Sequence, residues 1–114
     1  MKMTYKEVAD MISSIGLPTA YNQFPEKTSQ ATPYICFYYP ASADELYDNT
    51  NYVKVEQLII ELYVENKSFE LERQVEAALR ASGLTYTRTE NWLGNEKLYL
   101  ETYQMEVIIN EQQD

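Results

Sequence analysis

The stretch VKVEQLIIELYV, residues 53–64, carries the clearest periodic pattern in the chain and decides the fold. Every second position from Leu58 to Val64 is aliphatic, whereas the alternate positions from Gln57 to Tyr63 mix polar and apolar side chains. A period of two residues is that of a β-strand whose two faces meet different surroundings. We therefore predict a long strand with one face in the core and a half-polar face that is open or covered by a partner.

One amphipathic helix is predicted on each side of this strand. The first begins after Thr4, which forms a capping-box pattern with Glu7, and it ends at Gly16. The second begins near Asn66 or Ser68 and ends at Gly83. Apolar side chains recur at helical spacing in both segments and predict one buried stripe on each helix, formed by Tyr5, Val8, Ala9, Ile12 and Ile15 in the first and by Leu71, Val75, Ala78 and Leu79 in the second.

Three further strands are predicted from apolar or alternating runs at residues 34–39, 84–90 and 98–109. A turn at residues 92–95 separates the last two strands. The element order is then α-β-β-α-β-β, which predicts an α+β fold. We expect a single layer of mostly antiparallel sheet, with about four strands and both helices packed on one face. The strands at 53–64 and 97–109 are expected in its centre because they are the longest and most apolar.

The remaining segments are predicted as connections. Residues 40–52 form a long one, with a short helical turn near residues 42–46, and a short strand is expected near residues 19–22. The chain is predicted to be a single domain, residues 1–114, with a frayed tail at 110–114.

The composition removes most kinds of catalytic and metal site. The 114 residues include no histidine, one cysteine and three separated glycines, so histidine-dependent catalysis, cysteine zinc sites and glycine-rich phosphate loops are not expected. The segment holding Asp44, Glu45 and Asp48 lacks the spacing of a calcium-binding loop and is interpreted as a solvated acidic loop. Cys36 is interpreted as a small buried apolar residue. We predict no enzymatic activity, no cofactor and no metal site.

The net charge of −9 opposes contact with phosphates and anionic lipids. The nine basic residues are scattered, so neither sequence-specific nucleic-acid binding nor membrane binding is expected. No apolar run approaches the ~18 residues of a membrane helix, and residues 1–14 lack the apolar core of a signal peptide. The expected setting is the cytoplasm.

Tyrosine is unusually frequent, with 11 residues in the chain. Two interpretations stay open. Tyrosine suits protein contact surfaces, but it also favours strands, where Tyr63, Tyr86, Tyr99 and Tyr103 are predicted to lie. The half-polar face of the central strand slightly favours a contact surface.

Residues 52–93 and 96–109 together resemble a group of small proteins from the head–tail modules of phages and prophages of Gram-positive bacteria. The recurring pattern is a strand ending in ELY, a polar turn, a glutamate-rich amphipathic helix closed by glycine, and two strands. These proteins are described as tail terminator, tail-completion or head–tail joining proteins. The resemblance implies a structural ring, commonly a hexamer, on the last ring of the tail tube.

This resemblance also implies partners and a location. The partners are the tail tube protein, the head connector protein and further copies of the chain, and DNA passes through the ring without being bound. The protein belongs to the virion and, during assembly, to the bacterial cytoplasm. On this hypothesis the candidate interface residues are Tyr38, Ile59 and Tyr63, together with Tyr47 and Tyr52 of the connection at residues 41–52.

Other functions compete with the terminator. A head-completion or connector protein of the same module would give the same sequence pattern. An acidic inhibitory protein that covers a basic partner would be a stable monomer. An enzyme using carboxylates and a metal would respond to divalent cations.

Overall fold

The computed structural model describes residues 2–25, 30–46 and 52–110. Tyr47, one of the predicted interface residues, and the predicted tail beyond residue 110 therefore lie outside the described residues. The elements in chain order are β1 (Lys2–Met3), α1 (Tyr5–Ser13), β2 (Thr19–Tyr21), β3 (Tyr34–Leu46), β4 (Tyr52–Val64), α2 (Phe69–Ala81), β5 (Thr87–Leu93) and β6 (Leu98–Ile109).

Local signals in the sequence set both helix ends. The Thr4 hydroxyl accepts a hydrogen bond from the Glu7 backbone N–H at 3.0 Å, and the Glu7 carboxylate accepts one from the Thr4 N–H at 2.8 Å. The predicted capping box is thus confirmed. Ser68 caps α2 with its side chain. Gly16 and Gly83 follow the helices with φ values of 92° and 76°, a conformation that glycine adopts without strain.

The strands form one sheet that curls into a half-barrel. Its order is β2-β3-β4-β6, and both β5 and β1 pair with the far edge of β6. The prediction that the strands at 53–64 and 97–109 are central is confirmed, since β4 and β6 are neighbours in the interior of the sheet. The predicted count of about four strands is wrong because β1 and β2 add parallel pairs at the two edges. β2 confirms the short strand expected near residues 19–22. β1 has only two residues and carries no periodic signal, so its pairing with β6 alone defines it.

β3 is longer than predicted. It continues past Pro40 to Leu46 and pairs with β4 along this whole length, with a register shift between Tyr38 and Ala41. The predicted connection with a helical turn at 42–46 is therefore wrong. The shift lies next to Pro40, which has no N–H to donate to a ladder and is tolerated at such irregularities. We call residues 40–46 with 52–54 the arm.

β5 covers a later stretch of the chain than the predicted strand at residues 84–90. It begins at Thr87 rather than residue 84 and includes Trp92 and Leu93, which pair with β6. The turn is at residues 94–97. Leu84 is buried before the strand begins, so its apolar character reflects packing rather than strand alternation.

Both helices pack on one face of the sheet, as predicted. Val8 and Ile12 of α1 and Val75 and Leu79 of α2 are fully buried in one cluster with the aliphatic face of β4. Burying each such side chain stabilises the fold by roughly 1.5–3 kcal/mol. Among the described residues, no helix is long and apolar enough to cross a membrane.

Candidate functional site

The sheet face opposite the helices is here called the open face. Aromatic rings from the strands β3 and β4 cover part of it. Tyr34 on β3 stacks on Tyr63 of β4 with centroids 4.8 Å apart and an interplanar angle of 18°. The Tyr63 hydroxyl donates a hydrogen bond to Glu61 at 3.0 Å. Burial, and next the charge of Glu61, raise the pKa of Tyr63 and of Tyr38. These phenols therefore stay protonated and present hydrogen-bonding hydroxyls at neutral pH.

Three of the predicted interface residues meet on the open face. Tyr38 and Ile59 are cross-strand partners, and Tyr63 lies on the same face of β4. All three are partly buried. Tyr52 is 69% exposed, but it lies in the arm on the helix side of the sheet. The structure therefore unites three residues of the predicted set and separates Tyr52 from them.

A cavity of about 410 Å³ opens at one end of the open face. The rings of Phe24 and Tyr34 pack in a T-shaped arrangement with centroids 5.3 Å apart. The Tyr63 ring and Cys36 complete this side of the lining. Cys36 is a free, buried thiol, as the sequence predicted. Burial raises its pKa, so the thiol is protonated and weakly nucleophilic.

The helix side holds an ionic cluster that the sequence analysis missed, formed by Lys67, Glu72, Arg88, Glu90 and Glu101. The Lys67 ammonium lies 2.6 Å from Glu72, 2.5 Å from Glu90 and 3.6 Å from Glu101. Arg88 Nη1 lies 2.5 Å from Glu101 Oε1. Glu101 is fully buried and Glu72 nearly so. Glu101 lies on the same face of β6 as the buried Tyr103, and this alternation was the one signal in the sequence for its burial.

Burial dominates the electrostatics of this cluster. It raises the pKa of Glu101 to about 7, and hydrogen bonding with Glu90 adds to the shift, whereas Arg88 opposes it. Burial alone would lower the pKa of Lys67, but hydrogen bonds with Glu72 and Glu90 and the charge of Glu101 raise it. Lysine therefore stays charged, and Glu101 is the member that exchanges a proton near neutral pH.

The cluster does not offer an open metal site. Glu72, Glu90 and Glu101 have oxygens within 4.8 Å of one another, a spacing that a cation could use. The Lys67 ammonium, however, already contacts these three carboxylates and supplies positive charge there. A metal ion would have to displace it and meet the Arg88 guanidinium as well. We interpret the cluster as a structural tie between α2, β5 and β6.

No family model matches this sequence, and no curated protein matches it either. Solved structures share the fold, and one of them is described here. It is a chain in the virion of a native gene transfer agent particle, with a TM-score of 0.60 and 14% sequence identity. The match covers 85% of this chain and 82% of that chain. At this identity the likeness establishes a shared fold over nearly the whole of both chains.

Proposed function

We propose that this protein is a structural component of a phage-like particle, and specifically a tail terminator that forms a ring at the head-proximal end of the tail tube. The observation that carries the proposal is the fold shared with a virion chain over more than four-fifths of each protein. The sequence resemblance to tail terminator proteins points independently to the same class. Folds host many functions, so the proposal also needs surfaces suited to assembly.

The open face supports an assembly role. Tyr38, Ile59 and Tyr63 present rigid rings and an aliphatic side chain that are only partly covered by the chain itself. Large apolar side chains with hydroxyl groups at the rim are typical of protein contact surfaces. We propose this face as a contact with a neighbouring virion protein, either the tube or the connector.

The charge distribution supports a protein that DNA passes without binding. The open face carries Glu61 and Glu106, and no lysine or arginine in the described parts of β3, β4 and β6 lies on it. Such a surface repels phosphates.

The proposal is tested by mixing the purified chain with connector-free tail tubes and, separately, with tail-less heads. A new ring at one end of the tubes in electron micrographs is the expected result. Binding to heads alone would move the protein to the head-completion or connector role, which the same fold allows. Binding to neither would overturn the proposal.

A pair of variants locates the contact. Tyr38→Ala combined with Ile59→Ala should lower the fraction of capped tubes, because it removes side chains from the open face. Tyr21→Ala removes an exposed ring on the helix side and should cap tubes as the wild type does. Equal capping by both variants, with thermal unfolding showing that both are folded, would contradict the role given to the open face.

A further inference from the structure

The cavity at one end of the open face has a wall of three aromatic rings. Tyr34 stacks on Tyr63, and Phe24 packs against Tyr34 in a T-shaped arrangement. Each ring is held by its neighbour, so the wall has its shape before any partner binds. The cavity volume of about 410 Å³ lies in the range of ~300–1,000 Å³ that is typical of ligand pockets.

Two carboxylates act on this aromatic wall. Glu96 lines the cavity directly. Glu61 is joined to the wall by the hydrogen bond that its carboxylate accepts from the Tyr63 hydroxyl at 3.0 Å. Burial raises the pKa of the Tyr34 phenol, and the negative charges of Glu61 and Glu96 add to the shift. The same ring therefore feels both carboxylates, and a group bound against it would feel them too.

No basic side chain of the described residues forms an ion pair with either carboxylate. Lys97 adjoins Glu96 in the turn before β6, but it is exposed and makes no ion pair in the described part of the chain. Strand pairing in the described sheet places one basic residue on the open face, Lys2, beside Ile108. This position is about 25 Å from Tyr63 along β4. A cation from another molecule would therefore balance the charge at the cavity.

We propose that this cavity receives an arginine side chain of the neighbouring protein in the particle. A guanidinium is planar, stays charged at neutral pH and stacks on aromatic rings. Its N–H groups also donate hydrogen bonds to carboxylates, which Glu61 and Glu96 supply. An acidic side chain or a phosphate would be repelled by the same two residues.

This inference rests on the proposed function, which places the open face against a neighbouring virion protein, and it gives that contact its chemistry. One side chain in one cavity contributes only weak affinity by itself. The contact becomes effective when the ring presents several cavities to several arginines at once.

The probe is a blocked tripeptide, acetyl-Gly-Arg-Gly-amide, and its control peptide carries citrulline, which has nearly the shape of arginine but no charge. The titration uses Lys27→Ala protein, because Lys27 lies outside the described residues and is thereby removed as a competitor for the carboxylates. In ¹H–¹⁵N spectra the arginine peptide should shift the amide signals of residues that line the cavity, with a Kd on the order of 1–10 mM. The citrulline peptide should bind at least about fivefold more weakly.

Two double variants of this protein have the same net charge and test where the charge acts. Glu61→Gln with Glu96→Gln should weaken arginine-peptide binding about three- to tenfold, the scale of two ion pairs near a surface. Glu70→Gln with Glu106→Gln removes two charges from α2 and from the other end of the open face, and binding should stay within about twofold of the parent. Urea unfolding checks that both are folded.

Three results would overturn the inference. One is the absence of shifts at the cavity up to about 50 mM arginine peptide. Another is equal binding of the citrulline peptide, which would show that the guanidinium charge is not recognised. The third is equal weakening by the two double variants, which would show that the peptide responds only to net charge.

The tube assay separates this inference from the proposed function. The variant with Glu61→Gln and Glu96→Gln should cap fewer tubes than the variant with Glu70→Gln and Glu106→Gln. Equal capping by the two, together with no peptide binding at the cavity, would refute the arginine site and leave the terminator role standing. Peptide binding at the cavity of a protein that caps no tubes would keep the site and refute the terminator role.

Discussion

Glu101 is fully enclosed, yet its carboxylate is only partly neutralised. Its Oε1 meets Arg88, whereas its Oε2 has no hydrogen-bond partner and lies 3.6 Å from the Lys67 ammonium. Three carboxylates and two cations leave the ionic cluster one negative charge in excess. Holding a proton on Glu101 removes this excess, which agrees with its pKa of about 7.

This proton links stability to pH. Burial raises the folded pKa of Glu101 from its ordinary value of 4.5 to about 7, so between these two pH values the folded state holds a proton that the unfolded state releases. The contribution of Glu101 to the free energy of unfolding is therefore full below about pH 4.5, falls as pH rises to about 7, and is constant above it.

Glu101→Gln should remove this dependence, because the amide keeps the shape and cannot ionise. Relative to the wild type, the variant should gain on the order of 1–3 kcal/mol in unfolding free energy between about pH 5 and about pH 8. Urea unfolding at the two pH values measures the gain. The control is Glu70→Gln at an exposed position of α2, which should leave the slope unchanged. A Glu101→Gln protein with the wild-type slope would show that Glu101 does not carry the proton.

At the scale of elements, adjacent residues of β4 have different roles, one in the core and the next on the open face. Ile60 faces the helices and is fully buried, whereas its neighbour Ile59 faces the other way and is only partly covered. The same residue type thus holds the core at one position and forms the open face at the next. A one-residue slip would exchange them, so the aliphatic face fixes the register of this strand.

Ile60→Ala should lower the free energy of unfolding by roughly 2–5 kcal/mol, because it leaves a cavity in the core. Ile59→Ala makes the same chemical change on the open face, should cost roughly 1 kcal/mol and should reduce tube capping. Denaturant unfolding and the capping assay measure the two effects. Similar losses of stability at both positions would mean that the open face is packed as tightly as the core.

Elements with local signals were predictable from the sequence. The helix caps lie within a few residues of the segments they define, and the alternation in β4 needs no distant partner to be recognised. The arm was not predictable, because ASADEL has weak strand preference and is held in place by its pairing with β4. β1 is likewise defined only by its tertiary pairing with β6.

The residues of the candidate site also differ in whether local sequence signals could predict them. Tyr38, Ile59 and Tyr63 could be placed on one face because alternation alone assigns faces once the strands are known. The ionic cluster draws its members from the start of α2, from β5 and from β6, so no spacing along the chain reveals it. Trp92 lies within β5, whereas the sequence analysis placed it in a turn.

For the molecule as a whole, the net charge of −9 sets the response to DNA. We expect the purified protein to leave the gel mobility of duplex DNA unchanged even at low salt, where attraction to phosphates would be strongest. A basic peptide in the same gel serves as the positive control. Retardation of the duplex that weakens as salt is added would contradict the proposed passage of DNA without binding.

The antiparallel ladder also gives the molecule a direction of mechanical strength. β4 lies between β3 and β6 and forms eleven register pairs with each of them. A force applied along the strands loads these pairs together in shear, whereas a force across the sheet peels them apart one at a time. The arm continues the ladder along the same direction, so a pull transmitted through it meets the molecule along its most resistant axis.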